Sequence, residues 1–398
     1  MRKIYLSYIN SFAGLSREVW WLSLITLINR AGTMVIPFLS LYLTQSLNFS
    51  LKDVGWIMTA FGCGSLLGSW IGGKITDKIG YYKVMVASLL LSGIAFVFLQ
   101  LMDSFWTISL GIFVTMALAD MFRPAVFVAL SAYSKPENKT RSVTLIRLAI
   151  NLGFSMGPAL GGLIITRLGY AGLFWVDGVT CFLAGLLLLQ ILNPKKARVL
   201  DEVKADSTRK AYKDQPYLLF LVTMVLFGFM FMQYFSSVPV FYKEAHALSE
   251  YQIGLLLGLN GFLIFIFEMP LIKYFESKPW SVLTNLIIGC ALTLLSFLIL
   301  NMGSWIGLLL IGIILMTFGE MLTFPFSNAF ALNRAKGGNQ GEYMALYSIA
   351  FSIAHIFGHN SGMHLVEGLG FTTSWNIIAA LGLLGCLLLF LLKKMLRR

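Results

Sequence analysis

The chain is divided into long apolar runs, near residues 20–43, 54–72, 83–102, 105–131, 142–166, 170–192, 217–242, 251–275, 281–301, 305–331, 343–366 and 371–392, separated by short polar gaps. At 1.5 Å per residue, each is long enough to cross about 30 Å of hydrocarbon as an α-helix. A helix satisfies its own backbone donors and acceptors where no water is present. The expectation is an all-α polytopic membrane protein with twelve transmembrane helices. With 58% hydrophobic residues, 12% charged residues and a mean hydropathy of +0.79, the 398-residue chain carries more apolar surface than a water-soluble fold can hide. The first run is too long for a signal-peptide core and has no small-residue cleavage site, so it counts as the first membrane helix.

Charge orients these runs. The formal net charge is +12, but most of the 30 Lys and Arg sit in gaps between the runs rather than on one soluble face, which argues against nucleic acid as a partner. With the N-terminus cytoplasmic, only Lys52, Arg167 and Lys243 fall outside, and Arg30, Arg123 and Arg147 fall within runs. That bias predicts an N-in, C-in topology. Residues 193–216 are the one sizeable polar segment, mixing Lys and Arg with Asp and Glu. The segment reads as a cytoplasmic linker, a solvated tether or else a regulatory segment, between an N-terminal six-helix bundle (1–192) and a C-terminal one (217–398). Cys63, Cys181, Cys290 and Cys386 lie far apart inside apolar runs, with no metal-ligand spacing, and are expected as free thiols.

Between the second and third runs stands Gly73-Lys74-Ile75-Thr76-Asp77-Lys78-Ile79-Gly80-Tyr81-Tyr82-Lys83, expected as a charged hairpin turn on the membrane surface. Gly73, Asp77, Lys78, Gly80 and Lys83 fit the spacing G-x-x-x-D-(R/K)-x-G-x-(R/K)-(R/K), which resembles the loop between helices 2 and 3 of the major facilitator superfamily. Tyr81 and Tyr82 stand where that family often has basic residues. In the fifth run, Gly153, Gly157 and Gly161 lie four apart on one face, open to close helix approach, and Pro158 removes a backbone donor and bends the span. With Gly162, they match G-x-x-x-G-P-x-x-G-G, a motif associated with the proton-driven export branches of the superfamily. The halves also echo each other. Asp120 and Pro124 in the fourth run are matched by Glu320 and Pro325 in the tenth. Two repeats of six helices with sites at their shared interface is the plan of facilitator-type transporters.

Ionisable groups inside a bilayer are costly and mark functional sites. Arg30, Asp120, Arg123, Arg147, Glu268 and Glu320 all fall within predicted spans. Arg does not lose its proton, whereas a carboxyl group does, so Glu320, Asp120 and Glu268 are the candidate proton carriers and Arg30, Arg123 and Arg147 their candidate charge partners. Glu320 stands first. It lies mid-span, and its G-E-x(4)-P setting resembles helix 10 of both proton-coupled multidrug antiporters and peptide symporters. A structural ion pair with Arg30 or Arg147 is the alternative role. Asp120 and Arg123 share a helical face and can pair with each other or with Arg147. The fourth run departs from the export branch, because Arg123 is followed by Pro124 and Phe127 rather than by small residues. Glu268 lies near the cytoplasmic end of its run, close to Lys273, as a gate or an interfacial pair.

Asn29, Phe231, Gln233, Tyr234, Asn260, Tyr347, His355 and His359 are the candidate cavity residues. His355 and His359 share a face, but no third ligand stands at helical spacing, so no metal is expected. Aromatic groups among a few acids suit bulky, lipophilic, often cationic compounds, although Phe also faces lipid. No phosphate-binding loop, nucleophile elbow or soluble catalytic domain is present, which excludes direct use of ATP and argues against an enzyme. The resemblance implies a monomeric, multi-pass transporter of the plasma membrane, without a cofactor and driven by a proton gradient. Drug/proton antiport is the first expectation and proton-coupled import of a small polar nutrient such as a peptide the second. The peptide symporters' E-x-x-E-R signature is missing here apart from Arg30.

Overall fold

The computed structural model describes residues 14–134, 139–193, 211–334 and 340–396. The charged stretch 194–210 and the side chain of Asp77 lie outside the described residues. The helices are α1 (Arg17–Ala31), α2 (Val35–Leu41), α3 (Leu51–Ile79), α4 (Tyr81–Leu99), α5 (Phe105–Asp120), α6 (Phe122–Tyr133), α7 (Lys139–Ile191), α8 (Gln215–Gln233), α9 (Ser237–Glu244), α10 (Glu250–Glu276), α11 (Val282–Leu300), α12 (Ile306–Arg334) and α13 (Gln340–Met395). No strand occurs among the described residues. Ten helical segments there are long and apolar enough to cross a membrane. Two of these, Leu145–Ile191 and Leu346–Met395, are 47 and 50 residues long and are interrupted at Gly169 (φ 68°) and Gly370 (φ 75°). A positive φ at these points is open to glycine and turns the chain without a polar loop.

Helix ends carry local signals. Ser16 caps α1 by accepting from the Val19 amide, and its hydroxyl donates to the Tyr133 carbonyl, tying the start of α1 to the end of α6. Ser249 and Gln252 form a reciprocal capping box at the start of α10. At the start of α8, buried Asp214 accepts from the Arg334 Nε (2.7 Å) and Nη2 (2.8 Å) and from the Tyr343 hydroxyl (2.9 Å), joining α8, α12 and α13.

The residues form two compact units. One holds the chain up to Ile36 and from Ala60 into the linker; the other holds Pro37–Thr59 and the chain beyond the linker. Pro37–Thr59 thus packs with the second unit rather than with the N-terminal bundle. In the first unit, Val19, Leu22 and Ile25 of α1 pack with Val84, Met85 and Leu89 of α4, Phe122 and Val126 of α6 and Leu188 of α7. Gly64, Gly68 and Gly72 of α3 lie against Phe113, Ala117 and Met121 in parallel register, and a Cβ on Gly72 would stand 2.6 Å from the Met121 Cα. This close approach places α3 on α5, with no Cβ between them. In the second unit, Gly289 and Gly319 bring α11 and α12 together in the same way, a Cβ on Gly319 lying 2.7 Å from the Gly289 carbonyl oxygen.

The charged hairpin is tighter than expected. Helix α3 continues to Ile79, so Gly73 is helical and meets nothing, and Gly80 alone (φ 89°) makes the turn into α4. Lys78 and Lys83 are exposed, and Lys74 stands 3.8 Å over the Trp70 ring.

Candidate transport site

The strongest constellation lies in the second unit. Gly319 is committed to the α11 contact, so its neighbour Glu320, about 100° further round α12, turns toward α10. There the Asn260 amide donates to Glu320 Oε2 (2.9 Å) and to the Thr317 hydroxyl oxygen (3.1 Å). Thr317 in turn donates to the Ile313 carbonyl (2.6 Å). Glu268, two turns along α10 from Asn260, is near enough for its carboxyl group to act electrostatically on Glu320. Glu320 therefore accepts from a neutral amide, with the Glu268 carboxyl group within electrostatic reach.

One turn beyond Glu320 on the same face is Phe324, at the centre of an aromatic cluster. Its ring lies 5.6 Å from Phe227, 5.1 Å from Phe231 and 5.3 Å from Phe351. Tyr347 continues the cluster, 5.1 Å from Phe351, with its hydroxyl 2.7 Å from that of Ser327. Thr317, Glu320, Phe324 and Ser327 make one stripe along α12, polar at both ends and aromatic in the middle. Such a stripe offers an acid and a π-face to the same guest.

Two expected cavity residues are structural. Tyr234 is fully buried, donates to the Gly312 carbonyl and packs against Phe297, so it fills the bundle core. Gln233 is also fully buried: its amide donates to the carbonyls of Phe229 (3.0 Å) and Gly358 (2.8 Å), and its oxygen accepts from Ser237 (2.7 Å). Gly362 leaves the room for it. Its polarity is used on backbone and on Ser237, which removes it from a cavity wall. His355 and His359 stack edge to face at 4.9 Å, with His359 buried. Among the described residues, no group of three or more His, Cys, Asp or Glu side chains is placed to hold a metal.

In the first unit, Asp120 accepts a hydrogen bond from the Ser65 hydroxyl of α3. Arg30 lies within the electrostatic reach of Asp120 and Arg123, and its guanidinium stands 5.6 Å over the Phe154 ring. Its Nε is buried with no hydrogen-bond acceptor among the described residues. The side chains of Arg123 and Arg147 are exposed on the protein surface. Asn29 donates to the Cys181 Sγ (3.5 Å), a buried contact between helices. The glycine motif of α7 packs on this stretch: a Cβ on Gly153 would lie 2.5 Å from the Arg30 Cβ, and one on Gly157 3.3 Å from the Ala31 carbonyl oxygen. Pro158 lies inside α7, and Gly161 and Gly162 are buried.

Sequence reasoning missed Asp177. Its side chain is fully buried, and its carboxyl oxygens accept from the backbone N–H groups of Met34 (2.9 Å to each oxygen) and Val35 (2.8 Å), where α1 gives way to α2. The signal was an acid inside an apolar run, the same that drew attention to Asp120 and Glu320.

The Major Facilitator Superfamily description matches residues 22–359. An uncharacterized MFS-type transporter, YqjV, of Bacillus subtilis (strain 168) is 27% identical over 345 residues, covering 84% of this chain and 82% of that protein. A Na(+), Li(+), K(+)/H(+) antiporter of Planococcus maritimus is 22% identical, covering 89% and 91%. The quinolone resistance protein NorA of Staphylococcus aureus (strain MRSA252) is 23% identical, covering 82% and 83%. Among solved structures, a POT family transporter in complex with 5-aminolevulinic acid superposes with a TM-score of 0.81 at 14% identity, covering 97% of this chain and 98% of that one. The nucleoside transporter NupG gives 0.74 at 14% identity, covering 95% and 99%. With a family match over most of its length and apolar helices of membrane-crossing length, the chain is a multi-pass membrane protein that belongs to the major facilitator superfamily.

Proposed function

We propose that this chain is a proton-coupled exporter of lipophilic or cationic small molecules, a drug/proton antiporter of the plasma membrane working by alternating access. The observation that carries the reading is Glu320: an acid inside an apolar helix, hydrogen-bonded to the neutral Asn260 and one turn from the aromatic cluster around Phe324. A buried acid whose hydrogen bond comes from a neutral amide calls for a cation, and either a proton or a cationic substrate meets that need. Competition between the two for one site is sufficient for antiport: the proton displaces the substrate outward, and loss of the proton to the cytoplasm readmits substrate. Glu268 adds negative potential on the same side, and Asp120, bonded to Ser65 in the other unit, is the second candidate carrier.

The accompanying topology is twelve crossings with both termini cytoplasmic, in two halves at 1–192 and 217–398 joined by residues 193–216. Two things support it: the glycine breaks at 169 and 370, which divide the two longest helices, and the bias of Lys and Arg. The driving force is the proton gradient, no cofactor is needed, and the working unit is a monomer. The similarity to a quinolone resistance protein and to a Na(+), Li(+), K(+)/H(+) antiporter supports this reading.

The test is transport in proteoliposomes under an imposed pH gradient, with tetraphenylphosphonium, ethidium and a dipeptide as probes. Substrate movement opposite to the proton flux, lost in Glu320→Gln, is the expected result. Dipeptide movement in the same direction as the protons would replace this reading with a symporter.

A further inference from the structure

Helix α1 does not run straight into α2. It ends at Ala31, the Gly32 amide still bonding to the Ile28 carbonyl, and helical geometry resumes at Val35. A break inside a membrane strands backbone donors that have no water to turn to. Here the Met34 and Val35 N–H groups are met by one side chain from a helix more than 140 positions later, Asp177 of α7, with both carboxyl oxygens engaged. The next turn of α7 supports the same stretch. Gly32 is seated against Thr180, where any Cβ would collide with the hydroxyl, and Asn29 bonds to Cys181. Asp177, Thr180 and Cys181 form one face of α7, and Arg30 lies in the stretch they hold. The unit boundary falls between Ile36 and Pro37, one residue past the last amide that Asp177 holds.

We infer that Asp177 is a positioning residue for transport, the pin of a hinge in the first membrane helix: it holds the break at Met34–Val35 to the first unit while the chain beyond Ile36 goes with the second, and it sets the rotation of the segment bearing Arg30. The inference rests on the transport reading above. A carboxyl group suits this role because its two oxygens accept over a broad range of angles, so α2 can change its tilt about Met34 and Val35 without losing these bonds. An amide has a single acceptor oxygen and directs its NH2 toward the same donors. Val35→Pro disturbs the pin from the other side, since it removes the donor and sets its ring Cδ against the Asp177 oxygen, while proline itself is tolerated in the first turn of a helix.

The test compares wild type, Asp177→Asn and Val35→Pro for gradient-driven tetraphenylphosphonium transport in proteoliposomes and for equilibrium binding of the same cation to purified protein. Asp177→Asn is expected to lower the maximal rate about tenfold, with KM and binding affinity within about twofold of wild type, and Val35→Pro to lower the rate about threefold with the same split. Equal rates in wild type and Asp177→Asn would overturn the inference, and so would a loss of rate matched by an equal loss of binding affinity. If Asp177→Asn does not assemble, Val35→Pro decides: an unchanged maximal rate overturns the pin. Absence of gradient-driven transport in wild type would count against the transport reading itself, a separate failure.

Discussion

Each unit has a first membrane helix broken partway, and the two breaks are held by different chemistry. In the first unit, α1 and α2 part at Gly32–Met34, and an acid from α7 satisfies the freed amides. In the second, α8 and α9 part at residues 234–236, and a neutral residue, Gln233, bridges to the Gly358 carbonyl of α13 and to Ser237, while Ser40 donates to the Ser236 carbonyl. An amide that both donates and accepts fixes one geometry. A carboxyl group that accepts on two oxygens tolerates several. The difference suggests a rigid joint in one unit and a movable one in the other.

Substitutions can break or sharpen this contrast. Gly153→Ala is expected to have the largest effect, because its Cβ meets the Arg30 Cβ at 2.5 Å and the Ala31 backbone nitrogen at 2.9 Å, neither free to yield. A loss of about 3 kcal/mol, read as a lower unfolding midpoint by fluorescence-detected size-exclusion chromatography after heating, would mark the first break as tightly seated. Gln233→Leu removes three hydrogen bonds of a fully buried side chain and should cost about 2 kcal/mol on the same assay. Its transport rate per folded molecule is expected to stay near wild type, in contrast to Asp177→Asn. A rate loss in Gln233→Leu equal to that in Asp177→Asn would erase the distinction between rigid and movable joints. Ser237→Ala removes one partner of Gln233 and should cost about 1 kcal/mol. Lys52→Ala, next to the segment that joins the units, breaks a pair with Glu367 whose lysine is 53% exposed, and is expected to change stability by less than about 1 kcal/mol.

Much of this architecture was legible in the chain itself, because a membrane demands long apolar helices and tolerates few charges. The runs were visible, as were the glycine face of α7 and the acid at Glu320. Partners were not. Gln233 and Tyr234 look like cavity residues beside Phe231 and Phe235, but their polar atoms go to carbonyls inside α13 and α12, partners 125 and 78 positions away that the local sequence does not announce. The break at residues 234–236 is marked in the sequence only by Pro239, whose missing N–H and ring exclude an α-helical bond to the Phe235 carbonyl. Asp177 carried the right signal, an acid in an apolar run, yet its donors lie more than 140 positions away. The Gly64, Gly68 and Gly72 stripe was hidden by the motif that follows it, and the hairpin turn shrank to Gly80 because α3 stays helical to Ile79 despite Gly72 and Gly73.

The most direct test of the central claim follows protons rather than substrate. Proteoliposomes loaded with a pH-sensitive dye would receive tetraphenylphosphonium at a fixed membrane potential, and the proton flux evoked by the cation would be compared between wild type and Glu320→Gln. The account predicts proton movement opposite to the cation in wild type and none above background in Glu320→Gln. Cation-evoked proton flux of wild-type size in Glu320→Gln would contradict it.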